Sequence, residues 1–365
     1  MDTTAIINAL VFDGHSLHKN LILTIENGLI SGISSVVDTT NAKVIDGSGL
    51  TLLPGFIDAH VHLDPNPDPE KTRLLLLQMA KAGVTTALDM GYISVPVRES
   101  IPSNSGVTDV RFAGTFATST GSQHSQFPMT PQASLVDNSE LAVRFVEDRI
   151  SEGASYIKIV ADVPGPSQEV INTLVAESRK HGKLTVAHAA RSVAFAMAQE
   201  GKVDIITHVP IDSPLDEAAV KLMKDEGRVC VPTLIMEQGL VKSGFLRPGL
   251  KYETAKESVT LLHKAGVPII VGTDANQSPM AAVNHGESLH QELELLIEAG
   301  LTNEEALRAC TSLPAEWFRL EDRGVIQVGK RADLVLVGGN PMDDITATKN
   351  LKRVWIAGRE VSLEE

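Results

Sequence analysis

Residues 156–190 read "YIKIVADVPGPSQEVINTLVAESRKHGKLTVAHAA", and the fold turns on how this stretch divides. An apolar strand candidate, "YIKIVAD", gives way to a helical pattern that ends at Gly182, and a second strand candidate, "LTVAHAA", follows. Helices favour glycine just past their C-terminus, so the stretch reads as one strand–helix–strand unit. Similar units extend to both sides. Upstream lie "FIDAHVH", "TTALDMG" and "VRFAGTFA"; downstream lie "DIITHVP", "RVCVPTL" and "PIIVGTDA". Helical patterns separate them, among them "PEKTRLLLLQMAKAG", "SELAVRFVEDRISEGA", "DEAAVKLMKDEG" and "YETAKESVTLLHKAG". Eight strands alternating with helices over roughly 270 residues predict an α/β chain folded as a (β/α)8 TIM barrel, here spanning 55–323. A doubly wound sheet is the alternative, but no glycine-rich phosphate loop follows the first strand.

The two ends have a different texture. Residues 1–54 carry short β-branched and apolar runs broken at Asn27-Gly28 and Asp46-Gly47, dipeptides that favour hairpins. Residues 324–365 repeat that texture in "GVIQVGKRADLVLVGGNP" and "LKRVWIAGREV". Neither end has strands enough to close a core alone, so the two are expected to pair into one small β-sandwich domain.

Composition narrows the function classes. Hydrophobic residues make up 43% and charged residues 21% of the 365, which is the balance of a folded globular chain. The 46 acidic and 32 basic residues leave a net charge of -14 with no basic block, which argues against nucleic acid or an anionic membrane as a partner. Cys230 and Cys310 cannot form a disulfide framework and read as reduced core thiols. The opening "MDTTAIINALVFDG" lacks a basic start, and no uncharged apolar stretch is long enough to cross a bilayer. A soluble, cytoplasmic protein is expected.

Active groups of a (β/α)8 barrel sit at the C-terminal ends of its strands. The first strand candidate, within "GFIDAHVHLD" (55–64), sets His60 and His62 on one face with Asp58 and Asp64 on the same alternation. The other strand candidates contribute Lys158, His188, His208 and Asp274. Each residue has an ordinary structural reading. A strand histidine can be a satisfied core residue, Lys158 can reach out of the barrel end or pair with Asp274, and Asp274 in "TDANQSP" can cap a helix. Yet two imidazoles on one buried face desolvate each other unless they share a partner. An ammonium between Ile157 and Ile159 is also expensive to bury. The functional reading is that burial and nearby metal lower its pKa, so that the neutral amine captures carbon dioxide as a carbamate. That would turn an unwanted cation into an anionic bridging ligand.

With "LPGFIDAHVHL", "AGVTTALDMG", "GASYIKIV", "LTVAHAA", "IITHV", "VPTL", "VGTDA", "EALRACTSLPAE" and "GVIQVGKRADLVLV", the chain resembles the amidohydrolase superfamily nearly end to end. The resemblance is to the branch of imidazolonepropionase-like and Xaa-Pro dipeptidase (prolidase)-like enzymes. It implies two divalent metal ions, with Zn2+ favoured by the nitrogen and oxygen donors. His60 and His62 would hold one metal with Asp274, His188 and His208 the second, and N6-carboxylated Lys158 would bridge them. It also implies a metal-bridging hydroxide as nucleophile and Asp274 as general base and acid in cleaving a C–N amide bond. His124, in "TSTGSQHSQF", matches a position near the substrate carbonyl. Relatives that work with one metal, such as deaminases and imidazolonepropionases proper, lack the bridging lysine. A mononuclear hydrolase of a cyclic amide, lactone or amine is therefore the alternative, and a non-catalytic interaction protein on this fold is disfavoured by six ligands in place.

The substrate signal is thinner. Arg191, three residues after His188, is a candidate for a substrate carboxylate, or a residue of the following helix. His285, in "AAVNHGES", is a candidate lining residue, and Tyr156 shares the face of Lys158 one step deeper, where packing is its default. His15, His18, His181, His263 and His290 read as solvated or packing residues. The segment "LDPNPDPEKTR" is short and proline-rich, which leaves the mouth open. Apolar loops carrying Met236, Phe245, Leu246 and Met280 suit an apolar acyl group or aromatic amide. A small-molecule amide such as an N-acyl amino acid or dipeptide is the expected partner, and a homo-oligomer the expected assembly.

Overall fold

The computed structural model describes residues 3–36, 41–63, 68–101, 106–244, 249–278 and 281–364. Asp64, Phe245, Leu246 and Met280 lie outside them, as does the first part of the proline-rich segment.

The chain begins with seven strands: β1 (Thr3–Ile7), β2 (Leu10–Phe12), β3 (Leu17–His18), β4 (Ile22–Glu26), β5 (Leu29–Ser34), β6 (Ala42–Asp46) and β7 (Leu50–Pro54). Seven more alternate with helices: β8 (Phe56–Val61), β9 (Val84–Asp89), β10 (Asp109–Phe112), β11 (Ile157–Val160), β12 (Thr185–His188), β13 (Ile205–Thr207) and β14 (Val229–Val231). Three close the chain: β15 (Leu334–Gly338), β16 (Leu351–Ile356) and β17 (Arg359–Glu360). The fold is mixed α/β.

The pairings of the middle strands make a circuit. β8, β9 and β10 are parallel neighbours, and so are β11 through β14. Parallel bridges join Ala117 to Ile159, Cys230 to Ile269 and Val61 to Ala275, which brings the pairing back to β8. Every residue of β8, β9 and β11 is buried, as parallel strands covered on both faces require. The stretch "PIIVGTDA" is extended but pairs only through those isolated bridges, not as a regular strand. Gly272 explains its close approach: a Cβ there would meet Val231 at 2.4 Å and the Cβ of His60 at 2.8 Å.

Helices cover the outside for reasons visible in their residues. Gln168–Lys180 is capped by the Ser167 hydroxyl on the Val170 amide and buries Val170, Ile171, Leu174 and Val175 as one stripe. Each such side chain contributes roughly 1.5–3 kcal/mol of transfer free energy. The stretch "LIMEQGLVKS", expected to be a loop, is the helix Leu234–Ser243; an ionisable group far along the chain, Glu292, accepts from its Leu234 and Ile235 amides.

The termini meet. β15 pairs with β7 from Leu334↔Pro54 to Gly338↔Leu50, within a six-stranded sheet ordered β17-β16-β15-β7-β2-β3. A four-stranded sheet, β5-β4-β1-β6, comes from the N-terminal segment alone. Ile6, Leu23, Ile25, Leu52, Leu334 and Trp355 pack between them as one apolar cluster. Among the described residues no helix is long and apolar enough to cross a membrane.

Candidate metal centre

The interior of the strand circuit is apolar at its base, where Ile57, Leu88, Val186, Ile205, Val229 and Ile270 pack together. At the C-terminal strand ends it becomes polar. His60 and His62 leave β8 with their Nε2 atoms 3.3 Å apart. Asp274 Oδ1 lies 3.4 Å from the first and 3.2 Å from the second. The Asp274 amide donates to the His60 carbonyl (2.8 Å), and its backbone then turns through φ 55°, a left-handed conformation that aspartate tolerates. Asp58, one residue pair below, accepts from the Thr273 amide and hydroxyl at 3.0 and 2.7 Å, tying the two strands together beneath the centre. Burial lifts its carboxyl to about 7.

Lys158 reaches the same point from β11, its Nζ 3.4 Å from His60 Nε2. Burial pushes this amine down to about 7, against the pull of Asp274 and Asp89. His208 approaches Asp274 Oδ2 at 4.0 Å, and its ring lies 4.7 Å from that of His188. Burial, aided by the Lys158 charge and the neighbouring rings, drives His60 and His188 well below the usual histidine value. Burial likewise takes His208 to about 4. Burial opposes ionisation of Asp274 too, but the His62 hydrogen bond and the charges of His208, His62 and Lys158 outweigh it, and its carboxyl is held low.

Five of the predicted ligands and Asp274 thus converge, and the donor set fits divalent cations. Three imidazoles held neutral by burial, those of His60, His188 and His208, stand with His62 and one carboxylate around the centre, and imidazole and carboxylate are the donors that zinc-type ions take. His60, His62 and Asp274 form the tightest group, all ligand atoms within 4.8 Å of one another.

Some features that brace this centre carry no signal in the strand-end pattern. His60 Nδ1 meets Thr207 Oγ1 at 2.7 Å, and His208 Nδ1 meets Thr233 Oγ1. With Nδ1–H donating to the hydroxyl, Nε2 keeps its lone pair, which is how a metal-binding imidazole is oriented. The "VPTL" stretch flags Thr233, but its partner could not be read. Glu237, on the helix mistaken for a loop, stands 3.7 Å from His208 Nδ1; burial pushes its carboxyl well up. Asp89 accepts from the Leu63 and Gly91 amides, each at 3.1 Å.

The remaining candidates separate. His124 joins the centre: its ring is 4.7 Å from His188, its Nδ1 is buried without a partner, and burial lowers it to about 3. Arg191 is the half-buried residue preceding the helix Ser192–Glu200, and its guanidinium has no partner among the described residues. Of two others, Tyr156 takes its default packing role and His285 is corrected. Tyr156 is a core residue, its hydroxyl turned to the Asp89 and Arg111 carbonyls at 2.9 and 3.2 Å and its ring packed on Phe318. His285 does not present its ring nitrogen to a substrate; Nε2 donates to the His62 carbonyl at 3.1 Å and steadies the end of β8. Of the other histidines, His18, His181 and His263 pair with acidic neighbours, and His290 is buried between Thr348 and the Ala82 carbonyl.

Comparison with known proteins gives this geometry a class. The model of the amidohydrolase family matches residues 51–361, and the chain belongs to that family of metal-dependent hydrolases. Among curated proteins it is similar to the imidazolonepropionase of Idiomarina loihiensis, 24% identical with 94% of this chain and 93% of that one aligned. Among solved structures it is similar to a prolidase complexed with N-methylphosphonate-L-proline, at 27% identity, TM-score 0.81, and 98% and 99% coverage. A Xaa-Pro dipeptidase with bound methionine shares the fold at 23% identity, TM-score 0.82, and 98% and 99% coverage.

Proposed function

We propose that this chain is a binuclear metal-dependent amidohydrolase that cleaves a C–N amide bond of a small substrate, an N-acyl amino acid, dipeptide or related amide. The observation that carries the reading is Lys158. A structural lysine would be paired or would reach solvent, whereas this one is buried among imidazoles with its pKa brought down to about 7. A neutral amine there can add to carbon dioxide: the nitrogen lone pair forms the N–C bond, a proton leaves, and an anionic carbamate results. N6-carboxylated Lys158, His60, His62, His188, His208 and Asp274 would together hold two divalent ions, most suitably Zn2+. When bound, the ions supply Lewis acidity and a water acidic enough to attack at neutral pH. Asp274 takes the proton from the attacking water and delivers it to the leaving nitrogen. His124, neutral through burial, donates a hydrogen bond to the scissile carbonyl oxygen. Arg191, whose guanidinium has no partner among the described residues, receives a substrate carboxylate.

The proposal extends to the architecture. The strand circuit is read as a (β/α)8 barrel over 55–323, and the terminal sheets as a β-sandwich built from 1–54 and 324–365. A cytoplasmic homo-oligomer with a small molecule as its partner completes it.

Metal analysis with and without bicarbonate in the growth medium, coupled to a screen of N-acyl amino acids and dipeptides with product identification, tests the reading. Two ions per chain and amide cleavage support it. A second reading has its own support, since only His60, His62 and Asp274 form a tight group. About one ion per chain, with Lys158→Ala still active, would favour a mononuclear hydrolase of a cyclic amide, lactone or amine.

A further inference from the structure

The imidazoles of the centre belong to a larger ring of rings. His60, His62, Tyr92, Phe116, His124, His188 and His208 follow one another in a closed circuit, with neighbouring centroids between 4.7 and 5.9 Å apart. Lys158 and Asp274 contact members of one arc. The opposite arc, Tyr92 and Phe116 with His124, contains no side chain charged at neutral pH, and Phe127 extends it from His124 at 5.3 Å. The Asp89 carboxyl is turned to backbone amides and pushed toward its neutral form by burial.

This arc is held in place at some cost. Tyr92 has φ 87°, where a bulky side chain is a genuine outlier. Gly91 beside it has φ 144° and no room for a Cβ, which would meet the Phe116 ring at 3.0 Å. The Tyr92 hydroxyl shares a hydrogen bond with Thr130, whose own proton goes to the His124 carbonyl at 2.6 Å. The tyrosine is therefore the donor, and its hydroxyl is committed to the His124 loop. Its ring, 5.5 Å from that of His62, is left as a fixed wall. Backbone strain retained beside a catalytic centre is the kind that serves recognition.

We infer that Tyr92, Phe116 and Phe127, with the flank of His124, form an aromatic slot beside His62 that takes a flat aromatic acyl group of the substrate. This rests on the amide-hydrolase reading and sharpens it: the preferred class becomes N-aroyl or N-arylacetyl amino acids over N-alkanoyl ones. An aryl ring in the slot meets Tyr92 and Phe127 in offset or edge-to-face contact, geometry that a linear acyl chain cannot use.

The test compares N-benzoyl, N-hexanoyl and N-acetyl forms of one amino acid with the wild type, Tyr92→Gly and Phe127→Ala. Benzoate and acetate binding to metal-free protein is measured by calorimetry alongside. We expect a kcat/KM ratio of benzoyl to acetyl above tenfold, falling below threefold in both variants, with benzoate affinity lost in step. Tyr92→Gly relieves the strained φ, so its melting temperature should not fall. That separates a lost slot from a lost fold. Equal use of all three acyl groups, or a preference untouched by either variant, overturns the slot while leaving amide hydrolysis standing. Tyr92-dependent benzoate binding without hydrolysis of any amide would keep the slot and sink the proposed reaction instead.

Discussion

Two buried polar clusters sit at opposite ends of the same strands, and they are built on contrary principles. At the N-terminal end, Arg323 donates to Thr86 Oγ1 at 2.9 Å and to Asp109 at 2.6 Å, and bridges both Asp322 oxygens at 2.8 Å. Arg331 pairs with Asp333 at 2.8 Å, and the same oxygen accepts from the Ala357 amide. Cations and anions are matched, and the cluster ties the strand ends to the terminal sheets. At the C-terminal end five imidazoles and an amine crowd around Asp274, and His62 Nδ1 and His124 Nδ1 are buried without partners. The first cluster supplies its own counter-charges, although Asp333 Oδ2 makes no hydrogen bond among the described residues. The second is a set of lone-pair donors, several held neutral by burial, whose chemistry suits an added cation. The two clusters stand at opposite ends of the parallel strands, so that one can serve stability and the other function.

The sharpest way to break this contrast is at Lys158. Lys158→Ala should lower kcat/KM for an amide substrate by about a thousandfold or more, roughly 4 kcal/mol, with metal content falling from two ions toward one by elemental analysis. In metal-free protein the sign should reverse. Lys158→Met removes a buried, unpaired amine and should melt higher than metal-free wild type, by an equivalent of about 1–2 kcal/mol. At the other end, Arg323→Ala removes a cation from Asp109 and Asp333, which keep Arg111 and Arg331, and should cost about 1–3 kcal/mol in chemical denaturation, with metal per folded chain unchanged.

Chelation comes next. Stripping the metals should destabilise the protein by about 3 kcal/mol relative to protein held at a hundredfold excess over Kd, and adding divalent ion should restore it. An Arg323→Ala protein should show the same increment if the two clusters act independently. The smallest effect is expected at His290, which burial brings down to about 4 from a reference of 6.5. The unfolded chain takes up this proton first as pH falls. The contribution of the neutral ring is therefore complete above pH 6.5 and is lost as pH drops toward 4. His290→Gln should flatten the pH dependence of the melting temperature in that window, by about 1–2 kcal/mol. An unflattened curve would mean that the ring does not stay neutral in the fold.

The strand–helix alternation, the pairing of the two termini and the convergent histidines were legible because each rests on a local pattern. Apolar runs of strand length, helical runs ending in glycine, and histidines at strand ends repeat along the chain. The helix Leu234–Ser243 was not legible, because its start depends on Glu292 far away in sequence. His285 was assigned to the mouth because the pattern gives a residue's face, not the partner its polar atom meets. Tyr92 gave no signal, since a left-handed tyrosine follows from the neighbours that force it.

The order of residues by itself determined which chemical groups stand at the strand ends, and with them the family and its donor set. Only the folded chain decided their protonation, their braces and the aromatic arc facing them. Those depend on burial and on distances between residues far apart in the chain, which are long-range quantities that no local pattern carries.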